Sequence, residues 1–297
     1  MSVPAAFIGV IIIWSTTPLA IKWSADGPGF LFGVSARMVI GTLLCLTLAR
    51  LLRVKLPWHR EALQTYAAAA IGVYGAMTCV YWGAQFVPSG LISILFGLAP
   101  IVTGAFAAYW LKERSLTPVK IAGSLVGLAG LALIFGSQRL DVQAGAGLAA
   151  VLVSVVLHSL SSVWVKRTGT QLPALAVTTG ALLFALPLYL LTWLLLDGHL
   201  PTAVPERAIA SIVYLGVLGS GIGFILYYYT LRHVEAGRVA LIPLITPVLA
   251  VILGSALNGE VIDAHEITGA ALILSGLLFY EVGERIMPAL RANREPP

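Results

Sequence analysis

Arg37 lies about eight residues into an apolar run, "GFLFGVSARMVIGTLL". At 1.5 Å per residue this is roughly 12 Å along a helix axis, a depth at which an unpartnered guanidinium costs at least a few kcal/mol. Two roles fit such a residue. Arg37 is an anion site, for instance for a substrate carboxylate, or a structural cation that snorkels outward or binds carbonyls at a helix end. Other groups with chemical capacity also sit in apolar surroundings. Trp14, Ser15 and Thr17 precede Pro18, which removes a backbone donor and opens the helix. In lipid such a break must face protein or water, so these residues border a wet cavity or a hydroxyl-softened kink. Tyr74, Thr78, Tyr81 and Gln85 recur at steps of four, three and four, which puts them on one helical face. Ser154, His158, Ser161 and Ser162 form a second polar stripe, and Phe224 and Tyr228, at i and i+4, offer rings for stacking. This chemistry binds a small amphipathic molecule; with one deep His and no deep acid it lacks the parts of an enzyme. Cys45 and Cys79 have no CxxC spacing, so no metal, cofactor or disulfide framework is expected.

The elements that hold these residues are membrane helices. Hydrophobic residues make up 59% of the 297 and charged residues 10%, which excludes an ordinary globular surface. Runs of about 20 apolar residues, each long enough to span a bilayer core, occupy 3–23, 29–52, 62–84, 89–110, 117–136, 145–165, 173–196, 208–231, 236–257 and 264–284. An all-α integral membrane protein of ten transmembrane helices is predicted. The first run lacks a basic leader and reads as a retained helix. Pro18, Pro100 and Pro247 mark kinks or hinges. The glycines Gly123, Gly127, Gly130, Gly269 and Gly276 suit close packing of the fifth and tenth helices as peripheral supports, and a monomer is the expected state.

Charge sets the orientation. With the amino terminus inside, fourteen of the 18 Lys and Arg fall in cytoplasmic segments; Lys22, Arg139 and Arg207 fall outside, and Arg37 lies within a span. This is a positive-inside pattern, so both termini are expected in the cytoplasm, and the net charge of +5 reports orientation rather than a nucleic-acid partner. All 13 acidic residues fall in loops or at helix ends. A proton antiporter for cationic drugs ordinarily needs a mid-membrane carboxylate. Of the deep groups only His158 could titrate near neutral pH, so uncoupled carriage of neutral or zwitterionic substrates is expected, with proton-coupled efflux as the alternative.

The two halves repeat. Shifting "YWGAQFVPSGLISILFGLAPIVTGAFAAYWLKE" by 147 residues superposes Tyr81 on Tyr228, Gly90 on Gly237, Pro100 on Pro247 and Glu113 on Glu260. "WSTTPLAIK" aligns with "HSLSSVWVK" at a shift of 144, Trp14 on His158 and Lys22 on Lys166. Five spans per half is an odd number, so residues 1–140 and 141–297 form an inverted 5+5 repeat, a construction that transporters use to alternate access around a central site. Trp14, Ser15 and Pro18 in the first helix, Arg37 in the second, Gly90-x(9)-Pro100, and the Leu111-x-Glu113 ending together resemble the EamA-type carriers of the drug/metabolite transporter superfamily. The resemblance covers nearly the whole chain. It implies a multi-pass transporter of the cell inner membrane that exchanges small metabolites across the bilayer; overall similarity points to the YddG-like aromatic amino-acid exporter branch. One departure is Asn258-Gly259 before Glu260, where the first copy has Leu111-Lys112; a symmetric role for the two glutamates does not follow.

Overall fold

The structure, a computed structural model, describes residues 2–87, 89–113, 117–135, 144–168, 172–246, 248–249 and 264–292. Pro247, the second-copy proline, lies outside the described residues, as does Glu260. Among the described residues every regular element is helical. Five helices are long and apolar enough to cross a membrane: α2 (Phe30–Leu51), α3 (Arg60–Gly83), α7 (Ala144–Thr168), α8 (Ala174–Leu196) and α9 (Glu206–His233). α1 (Val3–Ala25) is a sixth if its two bent arms form one span. Shorter helices are α4 (Ser89–Phe96), α5 (Ala99–Trp110), α6 (Pro118–Phe135) and α10 (Ala236–Thr246), and α11 (Ala264–Ala292) closes the series.

Local chemistry explains the breaks. In α1 the arms Val3–Thr17 and Leu19–Ala25 meet at 44°, because Pro18 has no N–H to give the Trp14 carbonyl. Ser15 donates to the Ile12 carbonyl at 2.7 Å, and Thr16 and Thr17 both donate to that of Ile13 at 3.0 Å. The turn below the break is thus covered by hydroxyls. Pro100, expected as a mid-helix kink, instead lies in the first turn of α5, where a missing N–H leaves no helix bond unmade. The chain is interrupted just before it, at Gly97 and Leu98.

α3 and α9 each contain a π-helical segment, Ile71–Ala76 and Leu215–Ile222. Each widened turn costs regular backbone bonds, and neighbours answer that cost. The Tyr189 hydroxyl of α8 donates to the Val73 carbonyl at 2.7 Å and lies 3.3 Å from that of Tyr74, while Ser154 of α7 donates to the Ala76 carbonyl at 2.7 Å. The segment in α9 is glycine-rich and lies directly on α2. A Cβ at Gly216 would stand 2.7 Å from Ile40, and one at Gly221 2.6 Å from Leu44. That closeness delivers Ser220 to Arg37. α6 and α11 also meet backbone to backbone: a Cβ on Gly123 would lie 2.6 Å from the Gly276 carbonyl, and one on Gly130 2.5 Å from that of Gly269.

Tyr189→Phe removes the hydroxyl that answers the π segment of α3. The expected loss is about 1 kcal/mol, read as a Tm lower by roughly 2 °C in detergent. Tyr109→Phe, on a side chain that is 81% exposed, leaves Tm unchanged.

Candidate functional site

Arg37 is 2% exposed. Its Nε donates to Ser220 Oγ of α9 at 2.8 Å and its Nη1 to Tyr81 Oη of α3 at 3.0 Å. A guanidinium has five N–H donors, so one on Nη1 and both on Nη2 have no partner among the described residues. No described carboxylate pairs with it. Gly219 leaves room beside the group, since a Cβ there would lie 3.1 Å from Nη2.

The guanidinium borders a cavity of about 100 Å³ at the centre of the bundle. α1 contributes Trp14, Thr17 and Ile21, α3 contributes Met77 and Val80, and α4 contributes Ile92 and Phe96. His158 of α7, Phe224 of α9, and Pro243 and Thr246 of α10 complete the wall. Aromatic rings dominate one part of it. Trp14 stacks on Tyr227 at 5.0 Å between centroids and meets Phe224 edge-on at 6.4 Å. His158 touches Trp14 and Phe96, each at 6.1 Å, and its Nε2 is 3.3 Å from Tyr227 Oη. Gly223 gives the indole its space, because a Cβ there would lie 3.2 Å from Trp14 Nε1. The result is an apolar, ring-lined chamber with one permanently charged group.

The two ends of the chamber differ. Toward Lys22, a second cavity of about 360 Å³ is lined by Lys22, Trp23, Asp26, Tyr81 and Gln85, and shares Ile21 with the first. Tyr81 therefore stands between Arg37 and this vestibule. At its rim Arg207 holds Asp26 at 3.2 Å and lies over the Trp23 ring at 5.3 Å. Toward Lys166, Glu113 after α5 joins three elements. Its carboxylate takes Lys166 Nζ of α7 at 3.3 Å and the Ala236 amide that begins α10 at 3.1 Å, while Lys166 donates to the Val234 carbonyl. A pocket beside this junction, lined by Lys166, Tyr228 and Arg232, holds about 10 Å³.

A model of the EamA-like transporter family matches residues 2–136 and again 145–281. The chain belongs to the EamA-like transporter family. Similar proteins span nearly the same length. A probable terminal-alkyne amino-acid exporter of Streptantibioticus cattleyicolor is 29% identical over 277 residues, covering 92% of this chain and 91% of that protein. The uncharacterized transporter YoaV of Bacillus subtilis is 27% identical, covering 93% and 96%. A probable amino-acid metabolite efflux pump of Salmonella typhimurium is 27% identical over 74% of this chain and 77% of its own. One crystal structure superposes with a TM-score of 0.79 at 22% identity, over 96% of this chain and 98% of its own, which shows the fold. Family and relatives alike are transporters.

In this EamA-like chain the structure brings Trp14, Thr17, Arg37, His158 and Phe224 together around one cavity, with Tyr81 hydrogen-bonded to Arg37. The other candidates lie elsewhere. Ser15 is buried in its own helix turn. Tyr74 Oη pairs with Thr192 Oγ1 of α8 at 2.7 Å, and Thr78 donates to the Tyr74 carbonyl at 2.6 Å. The π segment is the cause: an inserted residue rotates the rest of the helix by about 100°, so Met77 and Val80 reach the cavity instead. Ser161 packs against Gly72 of α3, Ser154 bonds to Ala76, and the partner of His158 is Tyr227 rather than a serine. Tyr228 lines the small pocket at the Lys166 end, and its neighbour Tyr227 is the ring that stacks on Trp14. Sequence reasoning missed Tyr227 and Ser220; the i, i+3 spacing of Phe224 and Tyr227 and the "GSG" run were the available signals.

Lys166→Met removes a charge from the junction with Glu113. With Thr246→Cys in a background lacking Cys45 and Cys79, an impermeant maleimide presented from the Lys166 side is expected to label the cavity at least several-fold faster than in the parent. An unchanged rate would show that the pair does not close that end.

Proposed function

We propose that this transporter is an uncoupled, alternating-access carrier of the inner membrane that exports small metabolites of the hydrophobic and aromatic amino-acid class. One observation carries the reading: a buried guanidinium with unspent donors faces a ring-lined chamber. Its N–H groups suit a carboxylate, and Trp14, Phe224 and Tyr227 suit a flat or branched apolar side chain. The exporter and efflux-pump names of two relatives agree, and a further relative, YedA of Escherichia coli, is named as an inner membrane transporter.

The mechanism rests on two five-helix repeats, residues 1–140 and 141–297, in opposite orientations, giving ten spans with both termini in the cytoplasm. The double family match supports this. So do the two π segments, which begin at Ile71 and Leu215, and the helix starts at Pro118 and Ala264, at offsets that agree with the sequence repeat within a few residues. In this orientation the Lys22 vestibule faces outward and the Glu113–Lys166 junction closes the cytoplasmic side. The carrier works as a monomer, since its cavity is enclosed by one chain. Proton-coupled efflux is the competing reading, and His158 in the cavity wall is the group it would use.

Purified protein in liposomes is expected to show saturable, protonophore-insensitive exchange of phenylalanine or leucine. Arg37→Gln raises KM about 10- to 100-fold, the value of a charge-assisted hydrogen bond. An unchanged KM would remove carboxylate recognition from Arg37, and accumulation that collapses with a protonophore would establish proton coupling.

A further inference from the structure

The cavity holds one permanent charge and nothing opposite to it. Arg37 enters no ion pair among the described residues. All 13 Asp and Glu of the sequence lie in connecting segments or near the ends of apolar runs, so none stands at the depth of this site. The other lining groups that could meet a cation are neutral. Thr17 and Thr246 already donate to the Ile13 and Pro243 carbonyls, at 3.0 and 3.3 Å, and keep only lone pairs to offer. Protonation of His158 would add charge of the same sign as Arg37.

A charge this deeply buried is stabilised when a counter-ion arrives with its own hydrogen bonds. Arg37 is prepared for one, with an N–H left on Nη1 and two on Nη2, a set that a carboxylate takes two at a time. A zwitterion brings the carboxylate together with an ammonium. The loaded cavity would then carry a net positive charge, its ammonium desolvated against neutral oxygens and rings. A monoanion leaves the loaded cavity neutral.

Resting on the reading of this chamber as a carrier site, we infer that the preferred cargo is a hydrophobic monocarboxylate without a free ammonium, such as an aryl-substituted acid, a 2-oxo acid or an N-acylated amino acid. The zwitterionic amino acid is the weaker ligand of the same site. The cargo's charge also sets the energetics. Uncoupled movement of a zwitterion transfers no net charge, whereas that of a monoanion is electrogenic, and an inside-negative membrane potential drives it out of the cell. Direction then follows from cargo charge, without a coupling ion.

The test compares 3-phenylpropionate, phenylalanine and phenethylamine as substrates of the full-length protein in liposomes at pH 7.5, after subtraction of flux in protein-free vesicles. The expected half-saturation for 3-phenylpropionate is at least tenfold below that for phenylalanine, and phenethylamine is not carried. A valinomycin-imposed, lumen-negative potential speeds efflux of 3-phenylpropionate and leaves that of phenylalanine unchanged. Arg37→Lys, which keeps the charge, retains a reduced preference, and Arg37→Gln brings the two half-saturations together. Saturable phenylalanine flux with equal or poorer use of 3-phenylpropionate overturns the inference and leaves the carrier standing. Absence of saturable flux for all three compounds overturns the carrier reading itself.

Discussion

A guanidinium that is 2% exposed inside an apolar bundle is the constraint around which the other elements are arranged. Its burial is tolerable only with hydrogen bonds at fixed positions. Ser220 and Tyr81 supply two of them, from helices 183 and 44 residues away in sequence. Ser220 reaches Arg37 because the glycines of its π segment let α9 close on α2. Tyr81 reaches it from the turns after the π segment of α3. The donors these bonds leave unspent point the group's remaining capacity at the cavity.

Both π segments therefore have a positional use. A straight α-helix through Ile71–Ala76 would carry Tyr74 and Thr78 around on the same face as Tyr81, a polar stripe toward the bundle axis. With the inserted residue, Tyr74 and Thr78 turn to α8 and the apolar Met77 and Val80 turn to the chamber. The chamber is drier for it, and a dry wall strengthens the one charge it contains. The break at Pro18 acts in the same direction. Hydroxyls of the next turn are spent on carbonyls, so Trp14 and Thr17 meet the cavity without leaving a bare backbone group there.

Much of this was legible in the sequence, and the failures share a cause. The apolar runs, the bend at Pro18, the glycine contacts between α6 and α11, and Trp14, Arg37, His158 and Phe224 as neighbours of one chamber follow from residue type and spacing. Tyr74, Thr78, Ser161 and Tyr228 were placed by a constant 3.6-residue period, and a π segment breaks that period without a composition signal. "IGVYGA" reads like any apolar helix turn, and its wide turn becomes visible only with Tyr189 and Ser154 in place to answer its carbonyls. Pro100 misled for a related reason: a proline in an apolar run suggests a kink, but here the helix starts with it. The Arg37–Ser220 bond was beyond reach, because nothing local marks a serine in a glycine run as the partner of a distant arginine.

The central claim is that Arg37 and the aromatic wall bind the two ends of one molecule. A crystallographic complex with 4-bromophenylalanine tests it most directly, since anomalous scattering locates the ring and difference density locates the carboxylate. The account predicts bromine among Trp14, Phe224 and Tyr227, with the carboxylate on the free Nη1 and Nη2 hydrogens of Arg37. Bromine elsewhere in the bundle, or an Arg37 still bonded to Ser220 and Tyr81 alone in a saturated complex, would contradict it.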